Sequence, residues 1–346
     1  MDKALRVIFF LSFFTLSLSL FIGCDTSSLS SDDSSDSAHL HLTFNHEVSE
    51  YIYDGTTVLG PSTSSSQRSK TSTENDLLRY IVRIYPAAQK ASSKTLIKEF
   101  EFTKECGAGY NCEMTVDIEP GDYQILVWSD MLKDGKPLYD ADDFAEITLL
   151  GSHNGNDAYL EAYRGSATVS KSDFSLADGA CAVEVPMQRP LARFEIVAND
   201  LSEFIDKELA NYPAALQADE SIIELSDYSV VFYYVGFMPD TYSMYTDRTV
   251  DSSTGVIFHS ELSRLTDSEA SLGFDYVFVN DKDSAVTVRV GVYSPDGNLI
   301  SMTPSIKVPL KRNYHTVLQN TYLTTKSSDG VNINPNYDGN YTVTIP

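Results

Sequence analysis

Apolar and polar residues alternate with a period of two through most of this chain, and that alternation constrains its fold more than any other feature. LHLTF (Leu40 to Phe44), LRYIVRIYP (Leu78 to Pro86), KEFEFT (Lys98 to Thr103), EMTVDI (Glu113 to Ile118) and DYQILVWSD (Asp122 to Asp130) all follow it. So do RFEIVA (Arg193 to Ala198), DYSVVFYYVGF (Asp227 to Phe237), FDYVFV (Phe274 to Val279) and VTVRVGVYS (Val286 to Ser294). LISMTPSIKVPL (Leu299 to Leu310) and YHTVLQNTYLT (Tyr314 to Thr324) complete the set. In an extended strand this period sends one set of side chains to each face. Pro120-Gly121, Asp296-Gly297 and the VNDKDSA segment supply hairpin signals between strands. The pattern predicts an all-β fold of stacked sheets, not βαβ units.

DYQILVWSD departs from strict alternation in an informative way. Tyr123, Ile125 and Val127 share one face while Gln124, Leu126 and Trp128 share the other, so the strand is expected to be buried on both sides. One segment is helical in period: in DLSEFIDKELANYP, Leu201, Phe204, Ile205 and Leu209 form a stripe. Asp200 and Glu203 are placed as a capping pair there, and Pro213 as a stop. The Ser/Thr-rich stretch from Asn45 to Asp76 shows no core-forming pattern and is expected as a long loop, with Arg68 in it either a protease site or simply exposed. Pro190 stiffens a join after which a new strand begins, which sets a boundary between domains at 38–189 and 190–346.

The chain has 346 residues, 25 Lys and Arg against 49 Asp and Glu, and a formal charge of −24. Both halves are acidic, and no basic tract exists to neutralise phosphates, which argues against nucleic-acid binding. Spread evenly, such charge favours solubility and mutual repulsion.

At the N-terminus Lys3 and Arg6 precede the apolar run Val7 to Gly23, and Gly23 is followed by Cys24. Seventeen residues is short for a membrane span, and no Lys/Arg cluster follows as a stop signal. Residues 1–23 therefore read as a signal peptide, and Cys24 as the acylated first residue of a bacterial lipoprotein. The Ser/Asp tract of residues 24–37 is a flexible tether, with Asp32, Asp33 and Asp36 either an export signal or plain solvated spacer.

Three further cysteines remain. In CGAGYNC, Cys106 and Cys112 flank a glycine turn, which favours a disulfide; zinc is the alternative, but C-x₅-C lacks a second ligand pair. Cys181, within ACAVEV, reads as a small buried apolar residue. No catalytic constellation, phosphate loop or dinucleotide fingerprint is present, so no enzyme activity or cofactor is expected. His39 and His41 share a strand face and are either exposed or able to touch one metal. YDADDF offers Asp140, Asp142 and Asp143 but not the glycine and closing glutamate of a calcium loop, and a solvated turn is expected. FMPDTYSMYTD (Phe237 to Asp247) is either a recognition tip or a loop pinned to its own domain.

EPGDYQILVWSD, DAYLEAYRGSATVS (Asp157 to Ser170), QRPLARFEIVAND (Gln188 to Asp200) and VPLKRNYHTVLQNTYLT (Val308 to Thr324), in this order, resemble the fimbrillin and fimbrial-anchor lipoproteins of Bacteroidales-type bacteria. The resemblance runs from about residue 38 onward. It implies two tandem transthyretin-like (Ig-like) β-sandwich domains, acyl-anchored at the outer membrane and exposed at the cell surface, and assembly by strand addition with other fimbrial or surface subunits. The uncharged, alternating tail YTVTI, with Tyr341, Val343 and Ile345 on one face, is the candidate strand to be donated or to close its own domain. The alternative function is a glycan-binding surface lipoprotein beside an outer-membrane uptake system, with Trp128 or the Tyr242 and Tyr245 loop stacking on sugar rings. The acyl anchor leads to a direct expectation: Cys24→Ala releases the protein from membranes or leaves it unprocessed, and continued fatty-acid labelling of that variant would contradict it.

Overall fold

The computed structural model describes residues 38–47, 51–53, 58–61, 77–105, 110–280 and 284–325. In the first part of the chain the strands are β1 (His39–His46), β2 (Tyr51–Tyr53), β3 (Val58–Pro61), β4 (Leu77–Pro86), β5 (Lys98–Glu105) and β6 (Cys112–Asp117). They continue with β7 (Tyr123–Lys133), β8 (Lys136–Pro137), β9 (Tyr139–Asp140), β10 (Ile147–Leu149), β11 (Ala162–Val169) and β12 (Ala180–Gln188). After Pro190 come β13 (Leu191–Ala198), the helix α1 (Leu201–Leu209), β14 (Ser229–Tyr234), β15 (Phe237–Ser243), β16 (Arg248–Thr254) and β17 (Ile257–Glu261). The last are β18 (Ser263–Arg264), β19 (Ala270–Phe278), β20 (Ser284–Tyr293), β21 (Leu299–Met302), β22 (Ile306–Leu310) and β23 (Tyr314–Asn320).

The first sheet runs β5-β4-β7-β11-β12-β1-β6, with β8 beside β7. Its most apolar strands, β4 and β7, pair antiparallel from Leu77 opposite Leu132 to Pro86 opposite Tyr123. β11 meets β12 only at Arg164–Gln188 and Gly165–Met187, so the sheet folds over at this seam. Gly165 permits the fold: a Cβ there would stand 2.3 Å from the Met187 sulfur. The fold brings Leu40, Phe44 and Val185 against Tyr80, Val82, Ile125 and Val127 in one core. Pro120-Gly121 does not make the expected hairpin, because β6 pairs with β1 whereas β7 lies between β4 and β11.

A second sheet runs β18-β19-β13-β23-β2-β3, joining β2 and β3 from early in the chain to strands beyond Pro190, and a third runs β17-β14-β20-β21, with β22 also on β20. Phe194, Ile196, Phe232, Val288, Val290 and Val308 fill the space between them, joined by Leu201, Phe204, Ile205 and Leu209 of α1. The apolar stripe of α1 is the expected one, but the expected cap is not formed. Asp200, 6% exposed, instead accepts hydrogen bonds from the backbone N–H groups of Tyr322, Leu323 and Thr324 and from the Thr324 hydroxyl. A buried carboxylate gains more from four donors on a returning chain than from one helical N–H.

Two other expectations change. The stretch expected as a loop from Asn45 to Asp76 contains β2 and β3, and β2 pairs parallel with β23. The segment from Leu299 to Leu310 is two strands, β21 and β22, both on β20.

A fourth sheet, β16-β15-β10-β9, combines strands from before and after Pro190. It borders a third apolar core in which Ile81, Leu126 and Trp128 from β4 and β7 meet Tyr139, Ile147, Tyr242, Phe274 and Phe278. β7 is thus covered on both faces, Ile125 and Val127 in one core and Leu126 and Trp128 in the other. At the border of this core Arg79 Nε donates to Asp130 Oδ1 at 2.9 Å, and its Nη2 to the Tyr139 carbonyl at 2.9 Å. Trp128→Ala is expected to destabilise the protein by about 3–5 kcal/mol in denaturant melts, the cost of emptying a large buried site; a loss below about 1 kcal/mol would mean the third core is not holding these sheets together.

Candidate functional site

Of the aromatic residues that would serve a sugar-stacking surface, Trp128 and Tyr242 are inside the protein and Tyr245 is half-buried. Trp128 is 0% exposed, with its ring centroid 5.5 Å from that of Tyr139 and 6.5 Å from those of Tyr242 and Phe278. Tyr242 is likewise 0% exposed and hydrogen-bonds Asp247, which Arg312 also holds at 2.8 Å. The Tyr245 hydroxyl lies 3.3 Å from that of Tyr85. The FMPDTYSMYTD segment is therefore β15 and the turn after it, pinned by buried rings, and the recognition-tip alternative is corrected.

His39 and His41 do share a side of β1, with ring centroids 6.4 Å apart. Their partners are both on β6: Asp117 at 2.7 Å from His39 Nδ1, and the Thr115 hydroxyl at 2.9 Å from His41 Nδ1. Among the described residues no group of three His, Cys, Asp or Glu side chains could hold a metal ion. In the acidic loop, Asp140 Oδ1 accepts from Asp142 N at 3.2 Å and Asp143 Oδ1 from Ala145 N at 2.8 Å. These carboxylates brace the turn through their own backbone.

Cys112 opposite Phe44 and Cys181 opposite Leu40 are both buried, and burial pushes each thiol pKa up. Cys24, Cys106, Arg68, Tyr341, Val343 and Ile345 lie outside the described residues. The sheet topology supplies surfaces that sequence patterns alone did not identify. Among the described residues β5, β6 and β17 each end a sheet order. β5 carries Glu99 and Glu101, which pair with Arg83 at 2.8 Å and Arg79 at 3.8 Å. β17 turns Ile257, His259 and Glu261 outward and Phe258 and Ser260 inward. Its polar composition, IFHSE, gave no strong strand signal.

His46, at the end of β1, shows what burial does to a titratable group here. It sits among Tyr163, Tyr80 and Tyr110, with centroids 4.8, 5.7 and 6.1 Å away. Desolvation, then the nearby Arg189 charge, lowers its pKa to about 4. Because that lies below the unfolded value of 6.5, the folded state binds fewer protons, and stability is lost as pH falls from about 6.5 towards 4. Asp130 acts in the opposite sense, burial raising its pKa to about 6 against the pull of Arg79. Comparison with His46→Phe removes the histidine contribution alone. The stability difference between the two proteins is expected to shift by about 3 kcal/mol between pH ~7 and pH ~4, to the disadvantage of the wild type. A pH-independent difference in urea melts would contradict the assignment.

No curated protein matches the chain. Among solved structures, a candidate adhesin from Bacteroides ovatus is 12% identical, covering 84% of this chain and 91% of its own, with a TM-score of 0.40. A candidate cell adhesion protein from Bacteroides eggerthii is 10% identical over 84% of this chain and 88% of its own, with a TM-score of 0.41. The fimbrial anchor protein Mfa2 from Porphyromonas gingivalis is 12% identical over 77% of this chain and 82% of its own, with a TM-score of 0.37. A family described as being of unknown function, DUF6562, matches residues 34–346. With nearly the whole chain inside that match, the protein belongs to the DUF6562 family of unknown function.

Proposed function

We propose that this protein is a non-enzymatic, acyl-anchored lipoprotein of the bacterial cell surface, working as a fimbrial anchor or fimbrillin-like subunit. The observation that carries this over the glycan-binding alternative is the complete burial of Trp128 and Tyr242, whose rings hold sheets together and present no face to a sugar. The resemblance of the EPGDYQILVWSD and QRPLARFEIVAND segments supports the fimbrial reading. In this reading residues 38–189 and 190–346 form two transthyretin-like sandwiches, and Cys24 with the 24–37 tether holds them at the outer membrane. The Cys112 thiol is free in the structure, and the Cys106–Cys112 bridge is part of the proposal only, which peptide mapping without reductant tests.

Assembly would proceed by strand addition at an open sheet edge, for which β5, β6 and β17 are the described candidates. The tail carrying Tyr341, Val343 and Ile345 closes its own sandwich, since a subunit at a fimbrial base receives a strand more than it gives one. Deleting Tyr341 to Pro346 is then expected to cost several kcal/mol, roughly the loss of a few buried apolar side chains, in thermal melts. An unchanged melt together with a lost pull-down of surface subunits would make the tail a donor. Crosslinking in intact outer membranes tests the role itself: recovery of fimbrial or other surface subunits supports it, and a monomer without neighbours overturns it.

A further inference from the structure

β1 buries Leu40, Leu42 and Phe44 in the first core and turns His39 and His41 to the opposite, open face. The two imidazole rings lie side by side there, the His39 side chain 40% exposed. In each ring Nδ1 is held by β6: by Asp117 Oδ1 at 2.7 Å for His39, and by the Thr115 hydroxyl at 2.9 Å for His41. The register of β1 on β6 sets these partners directly opposite the histidines that they hold. A carboxylate only accepts, so the neutral His39 ring carries its proton on Nδ1 and keeps a lone pair on Nε2. The Thr115 hydroxyl accepts from His41 in the same way. Neither Nε2 atom has a hydrogen-bond partner among the described residues.

A metal-binding imidazole is held in this manner: one ring nitrogen is given to an acceptor, which fixes the tautomer and the ring and makes the other nitrogen a better donor of its lone pair. Residues two positions apart on a strand point the same way, so both rings stand on one side of the sheet. Their surroundings are anionic. β1, β6 and β12 contain no Lys or Arg, while Glu113 and Asp117 of β6 and Glu184 of β12 are exposed on the same face. Asp178, in the turn before β12, adds a further carboxylate, its pKa lowered by the Ser175 hydroxyl and the Ala180 N–H and, more weakly, by the His41 charge. On the β12 side Ala180 and Ala182 lie opposite the histidines, and their small side chains leave the rings uncrowded. Such a face attracts cations and repels anions.

We propose that His39 and His41 form a two-imidazole site for a divalent first-row transition ion, bound through both Nε2 atoms with water in the remaining positions. The ring centroids are 6.4 Å apart, and small side-chain rotations bring each Nε2 to about 2.0–2.1 Å from one shared ion. Imidazole nitrogen suits Zn²⁺, Cu²⁺ and Ni²⁺, whereas Ca²⁺ and Mg²⁺ prefer oxygen. With no group of three protein ligands among the described residues, the site is open, its affinity is modest, and a ligand of another molecule can displace its water. The inference does not depend on the fimbrial reading. Protons compete with the ion at Nε2, so occupancy falls as the solution is acidified. The titratable groups facing the pair are Asp117 and Glu113 of β6, Glu184 of β12 and Asp178.

The test is calorimetric titration of the full chain with ZnCl₂, CuCl₂ and CaCl₂, joined to NMR of the imidazole nitrogens during the Zn²⁺ titration. Zn²⁺ is expected to bind with a Kd on the order of 0.1 mM or tighter, Cu²⁺ more tightly than Zn²⁺, and Ca²⁺ without effect on either ring. The Zn²⁺-dependent shifts should fall on Nε2 of His39 and His41, and binding should weaken as pH is lowered. His39→Ala and His41→Ala, each checked for an unchanged melt, should weaken Zn²⁺ binding about tenfold or more, and Asp117→Asn, which keeps both ligands, about tenfold. Failure of both transition ions to bind, displacement of Zn²⁺ by equimolar Ca²⁺, or a wild-type Zn²⁺ affinity in any of the three variants overturns the proposal.

Discussion

Leu126 and Trp128 point away from the core that Ile125 and Val127 occupy, and the second buried face they create is what the rest of the molecule is arranged around. A strand with one wet face needs only one partner sheet. A strand apolar on both faces exposes a large hydrophobic surface unless something else covers it. Here β19 covers it with Phe274, Tyr276 and Phe278, and the sheet built from β9, β10, β15 and β16 seals the flank. Covering that face therefore draws strands from both sides of Pro190 into one sheet.

Polar side chains around this core act as registers more than as sources of stability. Arg79 and Asp130 form a buried pair whose desolvation offsets much of its attraction, but removing either partner would leave the other charged and unmatched. Arg189 works similarly at the seam after β12. It reaches Glu161 at 2.9 Å, Asn313 at 2.8 Å and the Glu47 carbonyl at 3.0 Å, and its guanidinium stacks over Tyr163 at 4.9 Å. One side chain thus ties the end of β1, the approach to β11 and the approach to β23. The planar fork of an arginine suits such a junction, and a lysine would satisfy only part of it.

How much of this was legible depends on how strongly each segment advertised burial. β4, β7, β13 and the stripe of α1 were readable because their apolar periodicity is strong. β16, RTVDSST, was not, since both its faces are largely polar and its place is set by pairing with β15. β2 and β3 escaped for a related reason: these short strands at a sheet edge are held by backbone pairing, β2 on β23 and β3 on β2, and backbone hydrogen bonds leave no side-chain pattern. Asp200 shows a third kind of miss. Its local spacing to Glu203 fits a capping pair, but the donors it satisfies come from Tyr322 to Thr324, far along the chain.

The amino-acid sequence by itself determined the all-β class, the strand that must be buried twice, the amphipathic helix α1 and the acidic character, because periodicity and charge are local properties. Tertiary structure alone decided what covers Trp128, which edges remain open, and that Asp117 and Thr115 hold the rings of His39 and His41. These partners lie 78 and 74 residues further along the chain, so their meeting depends on the pairing of β6 with β1, a long-range register fixed by the shared core and written in no local pattern.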